Sequence, residues 1–374
     1  MVVTRLDFSV VDKTFTMKTS LFLSLLVAMV WLNSALKPKV DAPTLKQAYK
    51  DYFPIGVAVG PRNLTGPEAD FILQQFNSLT AENAMKMGPI HPEENRYFWA
   101  DADTIVNFAR QHGLKVRGHN LCWHQQTPKW LFTDADGKTV PKDVLLKRLK
   151  DHITEVVTRY KGKIYQWDVV NEAIDDSDQK FLRESEWSKI CGDEFIAKAF
   201  EYAHEADPDA QLFYNDYNTE RPGKRDRIYR LLKELLDKKV PVQGVGLQGH
   251  WSLADPTEQN LRESIAKFSS LGLKVQITEL DLSVYPSEQG RRDKRPDEST
   301  TFSPEMEQQQ RAQYKRVFGV FREKKKDITG VTFWNVSDRR SWLDNFPVRG
   351  RKNYPLLFDA ELKPKQAYYE VVQF

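Results

Sequence analysis

One feature constrains the fold of this chain more than any other: a regular alternation of two hydrophobic periods. Eight short apolar, β-branched runs recur along it: IGVAVG (55–60), FNSLTAEN (76–83), LKVRGHNL (114–121), IYQWDVVNE (164–172), AQLFYNDY (210–217), VQGVGLQGH (242–250), LKVQITELD (273–281) and ITGVTFWNVSD (328–338). Each leads into a polar tip, as a strand buried on both faces should read. Between them stand segments with a 3.6-residue period, at 101–113, 144–160, 193–208, 227–239, 305–327 and 366–374. Gly113 stops the first of these, Asp207-Pro208 closes another, and the basic last turn of 305–327 suits the helix dipole.

Strands and helices in alternation predict an α/β fold, a (β/α)8 TIM barrel. An open doubly wound sheet is the competing architecture. It wants a Gly-rich phosphate loop after the first strand, and GVAVGPRN (56–63) is not one. The length of 374 residues suits one barrel, and no Pro-, Gly- or Ser-rich linker divides the chain. A single catalytic domain is expected over 36–374. The charged stretch YPSEQGRRDKRPDESTTF (285–302), between the seventh strand and its helix, reads as a solvated loop on the βα side, where a large substrate is within reach.

The N-terminus reads differently. From Met17 the chain runs MKTSLFLSLLVAMVWLNSA, with Lys18 before an apolar run (Leu21–Leu32) and small residues at Ser34 and Ala35. Those are the parts of a secretory signal over 17–35. The run is shorter than the ~20 residues that span a bilayer. Residues 1–16 do not belong to such a signal, so Met17 is expected to be the start and 1–16 an upstream extension. The mature protein is expected to be secreted, periplasmic or held at the cell surface, with no membrane span.

The formal net charge is only +3, from 55 basic and 52 acidic residues, which leaves no electrostatic footprint for nucleic acid. The two cysteines, Cys122 and Cys191, imply no disulfide framework and read as buried free thiols.

In a barrel the C-terminal strand ends converge on one face. Seven of the eight runs end in polar or aromatic groups: Glu82 and Asn83; His119 and Asn120, with Trp123 and His124; Asn171 and Glu172; Asn215, Asp216 and Tyr217; Gln248 and His250; Glu279 and Asp281; Trp334 and Asp338, with Trp342. No phosphate cradle and no G-x-S-x-G elbow is present. Indoles match the apolar faces of sugars, and amides, imidazoles and carboxylates match their hydroxyls. Cutting a glycosidic bond needs two carboxyls. Glu172 and Glu279 are the best pair, at the tips of strands four and seven. Asn171 is placed to donate to a sugar hydroxyl, and His250 to hold Glu279 ionised. A zinc site built from His119, Cys122, His124 and His250 is the competing reading. The first strand lacks the His-x-His tip usual in barrel metallohydrolases, so no metal or cofactor is expected.

These residues resemble a known family. TAENAMKMG (80–88), GHNLCWHQQTPKW (118–130), WDVVNEA (167–173), YNDYN (214–218), GVGLQGHW (244–251) and GLKVQITELDL (272–282) are similar, in order, to blocks of glycoside hydrolase family 10, the retaining endo-β-1,4-xylanases. The likeness covers roughly residues 44–374. It implies Glu172 as acid/base and Glu279 as nucleophile, with His250 and Asp281 as a relay orienting Glu279. It implies Asn171 at the 2-hydroxyl of the attacked sugar, in a subsite lined by His119, Trp123 and Gln248. Glu82, Asn83, Lys86 and Gln126 would bind the next sugar on the non-reducing side. Trp334 and Trp342 would wall the glycone subsites, and Tyr217 would stack on the leaving side. One departure is visible: WNVSDRRSW (334–342) has Asn335 where the family often has Gly.

The implied partners are xylan and xylo-oligosaccharides, acted on by a monomer without cofactor. A barrel glycosidase acting on β-1,4-glucan or mannan is the first alternative. A glycan-binding barrel without catalysis is the second, and it would be expected to have lost a catalytic carboxylate.

Overall fold

The eight apolar runs become eight parallel strands that close on themselves. In the computed structural model the described residues are Met1, 42–288 and 290–374, so residues 2–16 of the expected upstream extension and the expected signal segment (17–35) lie outside them. The strands are β1 (Ile55–Val59), β2 (Ser78–Ala81), β3 (Lys115–Cys122), β4 (Gln166–Asn171), β5 (Gln211–Asp216), β6 (Gly244–Leu247), β7 (Lys274–Ser283) and β8 (Ile328–Phe333). Each pairs in parallel with the next, and β8 returns to β1 with Ile55 opposite Val331. The sheet is therefore a barrel without a free edge.

A helix follows every strand: Gly66–Gln75, Ala100–Gln111, Lys142–Arg159, Glu194–Ala206, Pro222–Asp237, Glu258–Ser269, Pro304–Glu323 and Gln366–Val372. Two of these, Gly66–Gln75 and Glu258–Ser269, are not among the segments singled out by period. The helix Gly66–Gln75 buries only Ala69, Ile72 and Gln75, too thin a stripe to stand out. The helix Glu258–Ser269 buries Leu261, Ser264, Ile265 and Phe268, and Thr257 caps it by accepting from the Asn260 amide at 3.2 Å.

Several strands are shorter than their apolar runs. FNSLTAEN is a strand only over Ser78–Ala81, and ITGVTFWNVSD only over Ile328–Phe333. The polar tip residues have left the ladder, which frees them to face the mouth. The sixth run is broken: after Gly249 (φ 82°) the chain resumes as His250–Ser252, pairing in parallel with the outer part of β7 so that His250 lies beside Asp281. Glycine is suited to that bend.

The charged stretch 285–302 is more organised than a solvated loop. Arg292–Asp293 pairs with Val348–Arg349, Arg351 meets Glu288 at 2.5 Å, and Arg292 meets Glu298 at 2.5 Å. Cys122 and Cys191 are both buried and free. Among the described residues no helix is long and apolar enough to cross a membrane.

Candidate active site

Glu172 is the first residue beyond β4. It turns out of the strand at φ 59°, its amide donating to the Asn215 carbonyl at 2.9 Å. Its carboxyl is enclosed by donors. Trp123 Nε1 reaches Oε2 at 2.8 Å, and Gln248 Nε2 reaches Oε1 at 2.9 Å. Burial pushes its pKa up, and negative Asp216 and Glu279 add to the rise against the pull of the two donors. Glu172 is thus built to hold a proton.

Glu279, on β7, is equally buried and has the opposite tendency. Burial alone would raise it, but His119, His250 and Lys86 beside it hold it down at about 2. His250 donates from Nε2 to Glu279 Oε2 (3.2 Å) and from Nδ1 to Asp281 Oδ1 (3.0 Å). Burial would discharge His250, yet Asp281 and then Glu279 lift its pKa to about 10. Asp281 is itself held by Trp342 Nε1 at 2.8 Å. Asp281, His250 and Glu279 thus stand in one line of hydrogen bonds.

Amides bridge the two carboxyls. Asn215 Nδ2 donates to Glu279 Oε1 at 2.7 Å and to Asn171 Oδ1 at 2.9 Å. Asn171 Oδ1 also accepts from Gln248 Nε2 at 3.2 Å, and Gln248 reaches Glu172. Thr278 Oγ1 donates to Asn215 Oδ1 at 2.6 Å and so orients that amide. Asn215 appears in the sequence only as a strand-end residue. Nothing local marks it as a partner of Glu279.

Beneath this layer lies a buried charge cluster that sequence reasoning missed. Asp168 accepts from Arg117 Nη2 at 2.7 Å and from His119 Nδ1 at 2.9 Å, and all three are nearly inaccessible. The available signal was a lone carboxylate inside the buried run WDVV. His119 Nδ1 also lies 4.0 Å from Glu279 Oε1.

The other candidates fall around this centre. Lys86 is buried, donates to Asn83 Oδ1 at 3.0 Å, and lies 5.0 Å above the Trp123 ring and 5.9 Å above Trp334. Burial lowers its pKa, while Glu279, Glu82 and Glu172 oppose the shift. Glu82 Oε2 accepts from Asn335 Nδ2 at 3.3 Å. Trp334 stands edge-on to His119, and Trp342 packs on His250 and stacks on Phe346. Gln126 is exposed and meets this group through its backbone: φ is 47° and its carbonyl accepts from the Gly88 amide at 2.6 Å. Tyr217 donates to Asp176 and accepts from Arg183 Nη2 at 2.8 Å, while Lys224 Nζ sits 3.7 Å from its ring centre. For the zinc reading, His119 and His250 are engaged with carboxylates of this network. Among the described residues no group of three His, Cys, Asp or Glu side chains is arranged to hold a metal ion.

Two buried carboxyls with opposed proton affinities, at the mouth of a closed barrel, are the equipment for splitting a glycosidic bond. That places the chain in the class of barrel glycosidases. Residues 44–374 match the model of glycosyl hydrolase family 10, and the chain belongs to that family. It is 48% identical to endo-1,4-beta-xylanase B of Paenibacillus barcinonensis, over 89% of this chain and 98% of that protein. It is 50% identical to endo-1,4-beta-xylanase A of Caldicellulosiruptor saccharolyticus, over 88% and 96% respectively. Its structure is similar to that of the Paenibacillus barcinonensis xylanase XynB complexed with a conduramine derivative, with a TM-score of 0.86 and 47% identity over 89% of this chain and 99% of that one.

Proposed function

We propose that the chain is a retaining endo-1,4-β-xylanase, with Glu172 as acid/base and Glu279 as nucleophile. The observation that carries the residue roles is the contrast between the two carboxyls: burial raises one, and His119, His250 and Lys86 hold the other ionised. The xylan substrate is supported by the xylanase relatives, which the chain matches over nearly their whole length.

Glu279 attacks the anomeric carbon while Glu172 gives its proton to the leaving oxygen. The carbon–oxygen bond breaks as the ester to Glu279 forms. Glu172, now ionised, takes a proton from water, and the hydroxide so generated displaces Glu279. Two inversions leave the anomeric configuration unchanged. In the free enzyme Asp281 and Glu279 lift the His250 pKa to about 10 and so keep it protonated. Its bonds to Glu279 and Asp281 fix the nucleophile's direction of attack, and its charge balances the carboxylate that is regenerated.

In this reading Asn171 meets the 2-hydroxyl of the attacked sugar, and His119, Trp123 and Gln248 line its subsite. Glu82, Asn83, Lys86 and Gln126 hold the next sugar. Trp334 and Trp342 wall the glycone side, and Tyr217 stacks on the leaving side. The protein acts as a monomer on xylan and xylo-oligosaccharides. Residues 17–35 direct it out of the cytoplasm, and 36–374 form the catalytic domain. N-terminal sequencing of exported protein tests the leader, and an intact residue 1 would refute it. The activity test is hydrolysis of glucuronoxylan with the product anomer followed by NMR. Release of short β-anomeric xylo-oligosaccharides is expected. Preferential cleavage of soluble cellulose or mannan would overturn the substrate, and an α-anomer the mechanism.

A further inference from the structure

Six non-glycine residues among those described have positive φ. Five lie between 47° and 65°, and Asn335 stands apart at 130°. That region is avoided by residues with a side chain, and glycine enters it readily. Strained backbone persists where its surroundings over-determine it, and it gathers at ligand sites. Two of the other five, Gln126 and Glu172, are candidate site residues here.

The surroundings of Asn335 are specific. It follows the end of β8, is only 8% exposed, and donates Nδ2 to Glu82 Oε2 at 3.3 Å. Glu82 follows β2, and its own amide is tied to the Val59 carbonyl at 3.0 Å. Strand β1 lies between β8 and β2. It is the one strand whose tip supplies no polar side chain, ending Val59-Gly60. The Asn335 carboxamide reaches across that gap and occupies one oxygen of Glu82.

We infer that Asn335 is a positioning residue for Glu82. It engages Oε2 and leaves Oε1 directed at a hydroxyl of the second glycone sugar. It thereby governs how strongly the enzyme uses a substrate long enough to place a sugar there. The inference rests on the subsite assigned to Glu82 in the proposed function.

The test compares two aryl glycosides. An aryl β-xyloside fills only the sugar position beside the cleaved bond, whereas an aryl β-xylobioside also fills the next. Asn335→Gly removes the carboxamide and suits the backbone, so its thermal midpoint should not fall. Its kcat/KM on the xylobioside should drop about ten-fold, the scale of a lost hydrogen bond to a charged group, and its kcat/KM on the xyloside should hold. In a Glu82→Gln background the same substitution should add much less, since the two act through one contact. Equal losses on both substrates, or no loss on the xylobioside, would overturn the inference while leaving the glycosidase reading standing. Wild type that cleaves neither substrate would overturn that reading and the inference with it.

Discussion

Asn215 donates its side-chain Nδ2 to Glu279 Oε1 across 2.7 Å, and the same group reaches Asn171 Oδ1 at 2.9 Å. One amide therefore spans from the proposed nucleophile to the residue next to the proposed acid. Its orientation depends on space left at Gly246, where an added Cβ would lie 2.2 Å from Asn215 Oδ1 and 2.8 Å from Thr278 Cγ2.

Gly246→Ala should accordingly damage both activity and stability. Overpacking of this kind costs ~1–3 kcal/mol. The displaced amide should lower kcat/KM on xylan roughly 100-fold, as misplacement of a supporting group does. Thermal melting read beside steady-state kinetics checks this. A variant that melts lower but retains full activity would disprove the role given to Asn215.

The two glutamates should fail in different ways. Glu279→Ala should lose about 10⁴-fold or more on every substrate, because no covalent intermediate can form. Glu172→Ala should retain the first step on an aryl glycoside whose leaving group needs no proton, and then stall. Added azide should restore turnover in Glu172→Ala and give a β-glycosyl azide. An α-azide would reverse the two assignments.

The pH response follows from the direction of each shift. A cation beside a carboxyl lowers its pKa, so His250→Ala should let Glu279 rise from about 2 and move the acid limb of kcat/KM upward. Stability responds with definite signs. Glu279 is depressed below its unfolded value of ~4.3, so its contribution is present above that pH and is lost as pH falls toward about 2. His250 is raised above its unfolded ~6.5, so its contribution is complete below that pH and is lost as pH rises through about 10. Melting curves of wild type should fall on the alkaline side, and those of His250→Ala should lose that dependence.

Asp168→Asn should be strongly destabilising. It leaves Arg117 buried with no carboxylate, and breaking such a pair costs ~3–5 kcal/mol. It should also lower activity by releasing His119 from its 2.9 Å contact. The urea midpoint measures the first effect. Asp168→Asn with an unaltered midpoint would mean that the cluster is dispensable.

Much of this molecule could be read from its chain. The strands were legible because parallel strands are apolar on both faces, and their polar tips marked the mouth of the barrel. Glu172, Glu279, Asn171, His250 and Asp281 all occupy such tips, and the structure brings them into one network. Partnerships were harder to read than positions. Asn215 and Glu279 are 64 residues apart, and Arg117 and Asp168 are 51 apart. The first contact reaches across β6 and the second joins adjacent strands, and both exist only once the strands of the barrel align in register. The backbone state of Asn335 was hidden for a similar reason: one unusual residue carries no conformational label of its own.

The closing of β8 onto β1 has a consequence for the protein's endurance. In an open sheet the outermost strands fray first and expose their amides. Here each of the eight ring strands has a neighbour on both sides, so none of the eight is a natural point of departure. Slow hydrogen exchange should run evenly around the ring, and the join between first and last strands should be no weaker than the others. The ladder should then survive the barrel being opened at a surface turn and rejoined between the segments at its two ends, where Tyr368 donates to the Pro43 carbonyl at 2.8 Å.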